Sequence, residues 1–189
     1  MSRVISGTHG GRRLAVPPGR DTRPTSDRAR EGLFSTAQAL LGSLHGARVA
    51  DLYAGSGAVG LEALSRGASH ALLVEAHPRA ARVIRENIGT LQLGGAELVT
   101  DKVERVVARR PAEPYDLIFA DPPYAVTGEA VVGLLEALRE HQWPAREALV
   151  VVERASRGEP VRWPEGFTAA RERKYGEATF WYGWFGPGQ

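Results

Sequence analysis

The chain has 189 residues, a formal net charge of +2 at pH 7, and the mixed charged and hydrophobic composition of a folded protein with one sizeable core. It contains no cysteine, which excludes disulfides and thiolate metal sites, and its five histidines lack the spacing of a zinc site, so we expect no metal. Because it shows neither a signal peptide nor a run of ~20 apolar residues, we expect a cytoplasmic protein without membrane contact.

The positive charge is concentrated at the N-terminus. The first 30 residues hold seven arginines and two aspartates, a net charge of +5, which leaves −3 on the other residues. A basic segment on a slightly acidic body favours a polyanionic partner such as a nucleic acid. The alternative is a set of solvated arginines, since the chain uses arginine throughout and has lysine only at Lys102 and Lys174.

The N-terminal elements are a predicted β-hairpin and a predicted helix. The strands "RVIS" and "RRLAVP" flank a turn at "GTHGG". In "RPTSDRAREGLFSTAQALLGSL" apolar residues recur at helical spacing, Ser26 or Asp27 can cap the start, and Gly46 follows the end. We expect residues 1–20 to form a basic extension and residues 21–189 to form the main domain.

From residue 47 onward, short apolar runs alternate with helical segments. The runs "ARVADLYA", "HALLVEA", "AELVTD", "YDLIFADPPY" and "ALVVVER" predict five strands, and a helix can begin at Pro78. This alternation predicts an α/β fold with a doubly wound, mostly parallel sheet. "TAARERKYG" and "ATFWYGWF" predict an antiparallel C-terminal pair at the sheet edge. We expect its aromatic residues to pack in the core or shield that edge, with base stacking as the alternative: Trp181, Tyr182, Trp184 and Phe185.

The segment "DLYAGSGAVG" carries the glycine pattern of a dinucleotide-binding turn at Gly55, Gly57 and Gly60. Asp51 would repel a pyrophosphate but would attract the ammonium group of S-adenosylmethionine, which has an adenosine and no phosphate. Glu75 lies 20 residues after Gly55 and can accept hydrogen bonds from ribose hydroxyls in either ligand. The two acids together favour S-adenosylmethionine, and a packing turn without a ligand is the alternative.

Acidic residues occur at the ends of four predicted strands: Asp51, Glu75, Asp101 and Asp121. Ligands of a doubly wound sheet bind beyond the carboxyl ends of its strands. Asp101 can accept a hydrogen bond from an adenine amino group, and Val103 can contact the adenine face. An aspartate at a strand end is also an ordinary turn residue.

The motif "DPPY" predicts a site for an exocyclic amine. Such an amine is a poor nucleophile because its lone pair is delocalised into the ring of the base. The Asp121 carboxylate and the Pro122 carbonyl can accept its two N–H bonds and so free the lone pair, and prolines fix φ and offer no competing N–H. The Tyr124 ring can stack on the base, contributing about 1–3 kcal/mol. A strand end stiffened by prolines, without chemistry, is the alternative.

These motifs resemble the RsmD family, which uses S-adenosylmethionine to methylate guanine N2 in bacterial 16S rRNA. The resemblance covers nearly the whole chain, through "RVISGTHGGRRLAVP", "TRPTSDRAREGLFS", "DLYAGSGAVGLEALSRGA", "DPPY" and "KYGEATF". Its narrow markers are the hairpin Gly7–Leu14 and "RPTSDRAR". The resemblance implies a Rossmann-like class I methyltransferase fold, a substrate in the small ribosomal subunit or its assembly intermediate, and a monomer.

The resemblance also implies two sets of site residues. Those expected to bind the cofactor are Asp51, Tyr53, Ala54, Gly55, Ser56, Gly57, Glu75, Asp101, Lys102, Val103, Thr25 and Arg28, the last pairing with the cofactor carboxylate. Those expected to be catalytic are Asp121, Pro122 and Tyr124. The basic charge of the N-terminal segment adds a third set, the arginines expected to contact RNA phosphates: Arg3, Arg12, Arg13, Arg20 and Arg23.

Three alternative functions stay open. "DPPY" also suits a DNA adenine-N6 methyltransferase, although such an enzyme usually needs a target-recognition domain. A glutamine-N5 methyltransferase acting on protein is the second, but its sites resemble "NPPY" and it has no clear use for a basic hairpin. The third is a non-catalytic RNA-binding or assembly factor that retains a cofactor pocket.

Overall fold

The computed structural model describes residues 2–18 and 25–186. The chain divides into two compact units, Met1–Val103 and Glu104–Gln189. In both units parallel strands alternate with helices, as the sequence predicts. Within the described ranges, no helix has the length and the apolar character needed to cross a membrane.

The N-terminal hairpin is present, but its strands are shorter than predicted. β1 (Ser2–Arg3) pairs antiparallel with β2 (Arg13–Leu14), and a 3-10 turn lies between them at Gly7–His9. Val4 still bonds across the hairpin, its N–H donating to Arg12 O at 2.8 Å, but the two N–H groups after it bind a side chain. Ile5 N–H and Ser6 N–H donate to the carboxylate of Glu62 at 2.7 and 3.0 Å.

Three parallel strands form the sheet of the first unit, and β4 lies between the other two. Nearly all residues of β3 and β4 are buried, which explains why the sequence shows them as continuous apolar runs. The helices and strands that follow the hairpin are α1 (Asp27–Leu41), β3 (Arg48–Leu52), α2 (Ala58–Ser65), β4 (His70–Val74), α3 (Pro78–Leu91) and β5 (Ala96–Val99).

Helix α1 begins where the sequence predicts and ends earlier. The Ser26 hydroxyl caps its start by accepting from the N–H of Ala29 at 3.1 Å. The helix stops at Leu41 because Gly42 takes a positive φ of 88° and its N–H bonds to Gln38 O at 2.8 Å. The expected stop at Gly46 was therefore wrong. Leu44, expected in the helix, is fully buried in the turn that follows.

The second unit contains a parallel strand pair extended by an antiparallel one. Its strand order is β6-β7-β9-β8, in which β6 and β7 are parallel and β9 is antiparallel to both of its neighbours. The C-terminal antiparallel pair is thus confirmed. The helices and strands from the unit boundary onward are α4 (Val103–Val107), β6 (Tyr115–Ala120), α5 (Gly128–Glu140), β7 (Pro144–Ala155), β8 (Phe167–Tyr175) and β9 (Ala178–Phe185). Helix α4 was not predicted.

Aromatic packing closes the core around β9. The Tyr182 ring is fully buried, and the Phe185 ring lies 5.4 Å from that of Phe167. A side chain at Gly183 would collide with the Trp163 ring, because the nearest ring carbon lies 2.6 Å from the position of an added Cβ. These contacts support the expectation that the C-terminal aromatic residues serve packing.

Candidate functional site

The turn between β3 and α2 has a backbone that only a glycine-rich sequence adopts easily. Gly55 and Gly57 have φ values of 60° and 82°, and Tyr53 before them has 63°. The N–H of Gly57 bonds to Ala54 O at 2.8 Å and tightens the turn. Apart from the two neighbours of Gly55 along the chain, no atom of residues 2–18 and 25–186 lies within 4 Å of where a Cβ on Gly55 would be, so the turn leaves room for a ligand beside its backbone.

Gly60, the third glycine of the pattern, serves packing. A Cβ at this position would lie 2.6 Å from Leu73 Cδ2 and 3.4 Å from Asp51 Cβ. Glycine here lets α2 approach the sheet closely, the role of the third glycine in a nucleotide-binding turn. The glycine pattern therefore serves two purposes: Gly55 leaves space, and Gly60 permits contact.

Asp51 is the last residue but one of β3, near the strand end at which the sequence predicts an acid. Its pairing with Leu73 continues the parallel ladder, which extends to Leu52. The side chain is only 1% exposed, and its Oδ2 accepts the N–H of Gly60 at 2.9 Å. Burial raises the pKa of the Asp51 carboxyl to about 8; the Gly60 hydrogen bond opposes this rise and the negative charge of Glu75 adds to it. Such a carboxylate is strongly stabilised by a cation placed beside it.

The Asp51 carboxyl should make stability depend on pH. Its pKa is higher in the folded than in the unfolded state, so the folded protein holds an extra proton between pH 4 and 8 and loses stability as the pH rises through this range. Asparagine does not titrate, so the Asp51→Asn variant should not lose this stability. We expect the free energy of unfolding of the variant, relative to that of wild type, to be higher at pH 8 than at pH 5 by about 1 kcal/mol or more. Urea unfolding at both pH values measures the difference. A difference that does not change with pH would show that Asp51 does not titrate in this range.

Glu75 connects the end of β4 to the glycine turn. Its Oε1 accepts the N–H of Gly55 at 2.9 Å, and its Oε2 accepts the N–H of His77 at 2.8 Å. Each carboxylate oxygen has a second lone pair, so both keep the capacity to accept from a ligand hydroxyl. The structure thus brings together Asp51, the glycine turn and Glu75, although they are far apart in sequence.

The other predicted cofactor residues occupy varied environments. Asp101 is half-buried and accepts the N–H of Lys102 at 2.7 Å, while Val103 is buried at the start of α4. Ser56 is buried, and its carbonyl accepts from Asn87 Nδ2 at 2.9 Å. Thr25 is half-buried and Arg28 is exposed in the first turn of α1. Their roles toward a cofactor stay predictions.

The predicted RNA-contacting arginines lie partly on the described hairpin. Arg3 and Arg13 are exposed, and Arg3 Nε donates to Asp27 Oδ2 at 2.9 Å. Arg12 is exposed, and its Nη2 donates a hydrogen bond to Thr90 O at 3.3 Å. Arg20 and Arg23 fall outside the described residues.

The "DPPY" residues follow β6 in the second unit. Asp121 is half-buried, Pro122 is buried and Tyr124 is 59% exposed. Arg154 at the end of β7 holds the loop, donating to Val126 O at 2.6 Å and, at the longer distance of 3.4 Å, to Pro123 O. Sequence reasoning missed Arg154, for which the only signal is a basic residue at the end of an apolar strand.

Three further residues that the sequence did not single out hold the hairpin in the first unit. Glu62 binds its first strand, as described above. Asn87 binds its second strand from α3, accepting from Ala15 N–H at 2.8 Å and donating to Ala15 O at 3.0 Å. Arg30 Nη1 donates to Ser2 Oγ at 3.3 Å, and its Nη2 donates to Arg3 O. No sequence pattern marks these residues, because their partners are distant along the chain.

The sequence model of a protein family described as "Conserved hypothetical protein 95" matches residues 2–184 of the chain. The chain belongs to this family, the RsmD family. A relative from Escherichia coli K12, "Ribosomal RNA small subunit methyltransferase D", is 35% identical over 94% of this chain and 87% of its own. The resemblance found in the sequence is therefore confirmed.

Solved structures confirm the fold of this RsmD-family chain. "Putative methyltransferase yhhF from Escherichia coli" has a TM-score of 0.82 and 33% identity, covering 98% of each chain. A more distant neighbour, 15% identical with a TM-score of 0.66 over 79% of this chain and 48% of its own, is "SMU.776, a putative methyltransferase complexed with SAH". The predicted Rossmann-like methyltransferase fold is thus present, and the more distant neighbour of this fold was solved in complex with SAH.

Proposed function

We propose that the chain is an rRNA methyltransferase that transfers the methyl group of S-adenosylmethionine to N2 of a guanine in small-subunit rRNA. The observation that carries this proposal is the "DPPY" motif at the end of β6, in a chain 35% identical to a small-subunit rRNA methyltransferase. An assembling small subunit, which presents the base in a preformed shape, is the expected substrate, since RNA is read mainly at loops and bulges.

The residues of the first unit fit the cofactor. The open space beside Gly55 accommodates a ligand that approaches the backbone closely, and the buried Asp51 carboxylate suits an ammonium group. The remaining lone pairs of Glu75 suit ribose hydroxyls. When bound, the cofactor supplies a methyl group on a sulfonium, which is already a good leaving group.

In the second unit, Asp121 and the Pro122 carbonyl would orient the amine. By accepting hydrogen bonds from the two N–H groups of the amine, they orient its lone pair toward the methyl group. The Asp121 carboxylate also disperses the positive charge that develops on the nitrogen. The ring of Tyr124, which is exposed, would hold the guanine by stacking. Little acid–base catalysis is needed, so positioning carries most of the rate enhancement.

Substrate class can be tested with three substrates side by side. The chain is incubated with S-adenosylmethionine carrying a labelled methyl group and with small-subunit particles from cells lacking the enzyme, duplex DNA, or ribosomal proteins. We expect label only in the RNA of the particles. Label in DNA or protein would support one of the other methyltransferases, and binding to particles without any label would support the assembly factor.

The hairpin arginines should contribute the salt-dependent part of RNA binding. We expect the double variant Arg12→Ala, Arg13→Ala to bind particles more weakly and to reduce the slope of log K against log [salt] by about 1.5–2, because two phosphate contacts are lost. Arg171→Ala, Arg173→Ala on β8 is the matched control and should keep the slope. An unchanged slope for the hairpin variant would place the phosphate contacts elsewhere.

A further inference from the structure

A cavity of about 320 Å³ lies in the second unit beside the "DPPY" loop. Three segments form its walls: residues 124–128 with Val131 of α5, Arg154 and Ala155 at the end of β7, and residues 158–162 of the following loop. The last segment, "GEPVR", has no role in the function proposed above. The volume is at the lower end of the range for small-ligand sites.

The walls combine an exposed aromatic ring with aliphatic surface. Tyr124 is 59% exposed and is the one large hydrophobic residue that is exposed in the part of the chain that the structure describes. Val126, Val131, Pro160 and Val161 provide the aliphatic surface. Flat, apolar surfaces of this kind suit a nucleobase, because every base has a flat face that can stack on an aromatic side chain.

The rim adds charged groups that match the rest of a nucleotide. The Arg162 side chain is 63% exposed and lies 3.9 Å from Glu129, a weak surface pair that leaves the guanidinium able to bind a phosphate. The exposed carboxylate of Glu159 can accept from N–H groups on the edge of a base. Arg154 is engaged with the carbonyls of Pro123 and Val126, so it fixes the wall.

We propose that this cavity binds the nucleotide next to the methylated guanine in the substrate RNA. Tyr124 lines the cavity, whereas neither Asp121 nor Pro122 is among the described residues that do. The cavity is therefore beside the amine-binding position and shares its aromatic wall. The neighbouring base stacks against the apolar surface, and its phosphate binds Arg162. This proposal rests on the proposed function and extends it, because the enzyme would then contact the nucleotide beside its target as well as the target itself.

Two variants test the cavity through steady-state kinetics with small-subunit particles. Val161→Trp fills the cavity and Arg162→Ala removes the phosphate contact. We expect each to raise KM for particles about tenfold or more while kcat and the cofactor Kd stay within about twofold. Arg173→Ala, an exposed arginine of β8, is the control and should change none of these values. A KM within about twofold of wild type for both cavity variants would overturn the proposal.

Photo-crosslinking supplies a readout that needs no methyl transfer. With a photoreactive amino acid at residue 160, we expect crosslinks to the small-subunit rRNA within about two nucleotides of the methylated guanine. Crosslinks only to distant nucleotides, or only to protein, would overturn the cavity proposal even if methylation is confirmed. Crosslinks to the rRNA from a chain that transfers no methyl group would instead refute the proposed function and keep the cavity as an RNA site.

Discussion

Replacing Asp121 with alanine should abolish methyl transfer and leave cofactor binding intact. The carboxylate is one of two acceptors proposed for the target amine, and it also disperses the charge that develops on nitrogen. Losing a preorganised group of this kind costs about 10²–10³ in kcat. Single-turnover methylation of small-subunit particles measures the loss, and isothermal titration with S-adenosylmethionine measures the cofactor Kd, which we expect to stay within about twofold.

A matched control separates the chemistry from the fold in this experiment. Asp116 lies on the same strand, β6, and Asp116→Asn should keep kcat within about threefold. Asp121→Asn keeps an acceptor oxygen but loses the charge, so we expect it to retain more activity than Asp121→Ala. Activity of Asp121→Ala within about tenfold of wild type would refute the amine-acceptor role.

The second large effect is expected at Glu62, which is fully buried in α2. Its carboxylate accepts from the N–H groups of Ile5 and Ser6, accepts from Arg66 Nε at 2.8 Å, and lies 3.7 Å from the Nε of the equally buried Arg30. Glu62→Gln removes the buried charge and leaves Arg30 and Arg66 to the partly exposed carboxylates of Asp27 and Glu31. Because breaking a buried ion pair from one side costs about 3–5 kcal/mol, we expect a loss of that size in the free energy of unfolding.

Urea unfolding measures the Glu62 effect against an exposed control. Glu31 also pairs with Arg66, at 3.1 Å, but its side chain is 52% exposed, so Glu31→Gln should cost less than about 1 kcal/mol. If Glu62→Gln proves too unstable to purify, the double variant Arg30→Met, Glu62→Gln should recover part of the loss. It removes the buried guanidinium that has lost its charged partner, and it keeps a side-chain oxygen that accepts from the hairpin N–H groups. A cost below about 1 kcal/mol for Glu62→Gln would show that the hairpin is held by other contacts.

The alternation of strands and helices could be predicted from the sequence because it is a local pattern. Buried parallel strands appear as apolar runs. The N-cap Ser26 and the proline at the first helical position, Pro78, mark helix starts. The end of α1 could not be predicted, because Gly42 and Gly46 are both suitable stops. In the structure Gly42 takes the positive φ that ends the helix, and Leu44 is buried beyond it. The five-residue helix α4 is too short to show a periodicity.

The placement of some candidate site residues could be predicted where one motif or a known spacing indicates it, while their roles stay predictions. Asp51, Glu75 and the glycine turn lie together in the first unit, as the spacing of 20 residues between Gly55 and Glu75 suggested. Arg30, Glu62 and Asn87 could not be recognised, because a polar residue in a helix is usually solvated and burial is decided by distant segments. The buried setting of Asp51 was likewise invisible in the sequence, although it determines the pKa of that group.

Identifying the modified nucleoside tests the central claim most directly. Small-subunit particles from cells lacking the enzyme are treated with the chain and S-adenosylmethionine, and the RNA is digested to nucleosides for mass spectrometry with fragment mapping. We predict a single N2-methylguanosine at one position, absent when Asp121→Ala replaces the wild-type chain. Methyl groups on adenine N6, on several guanines without preference, or on no nucleoside at all would contradict the proposed function.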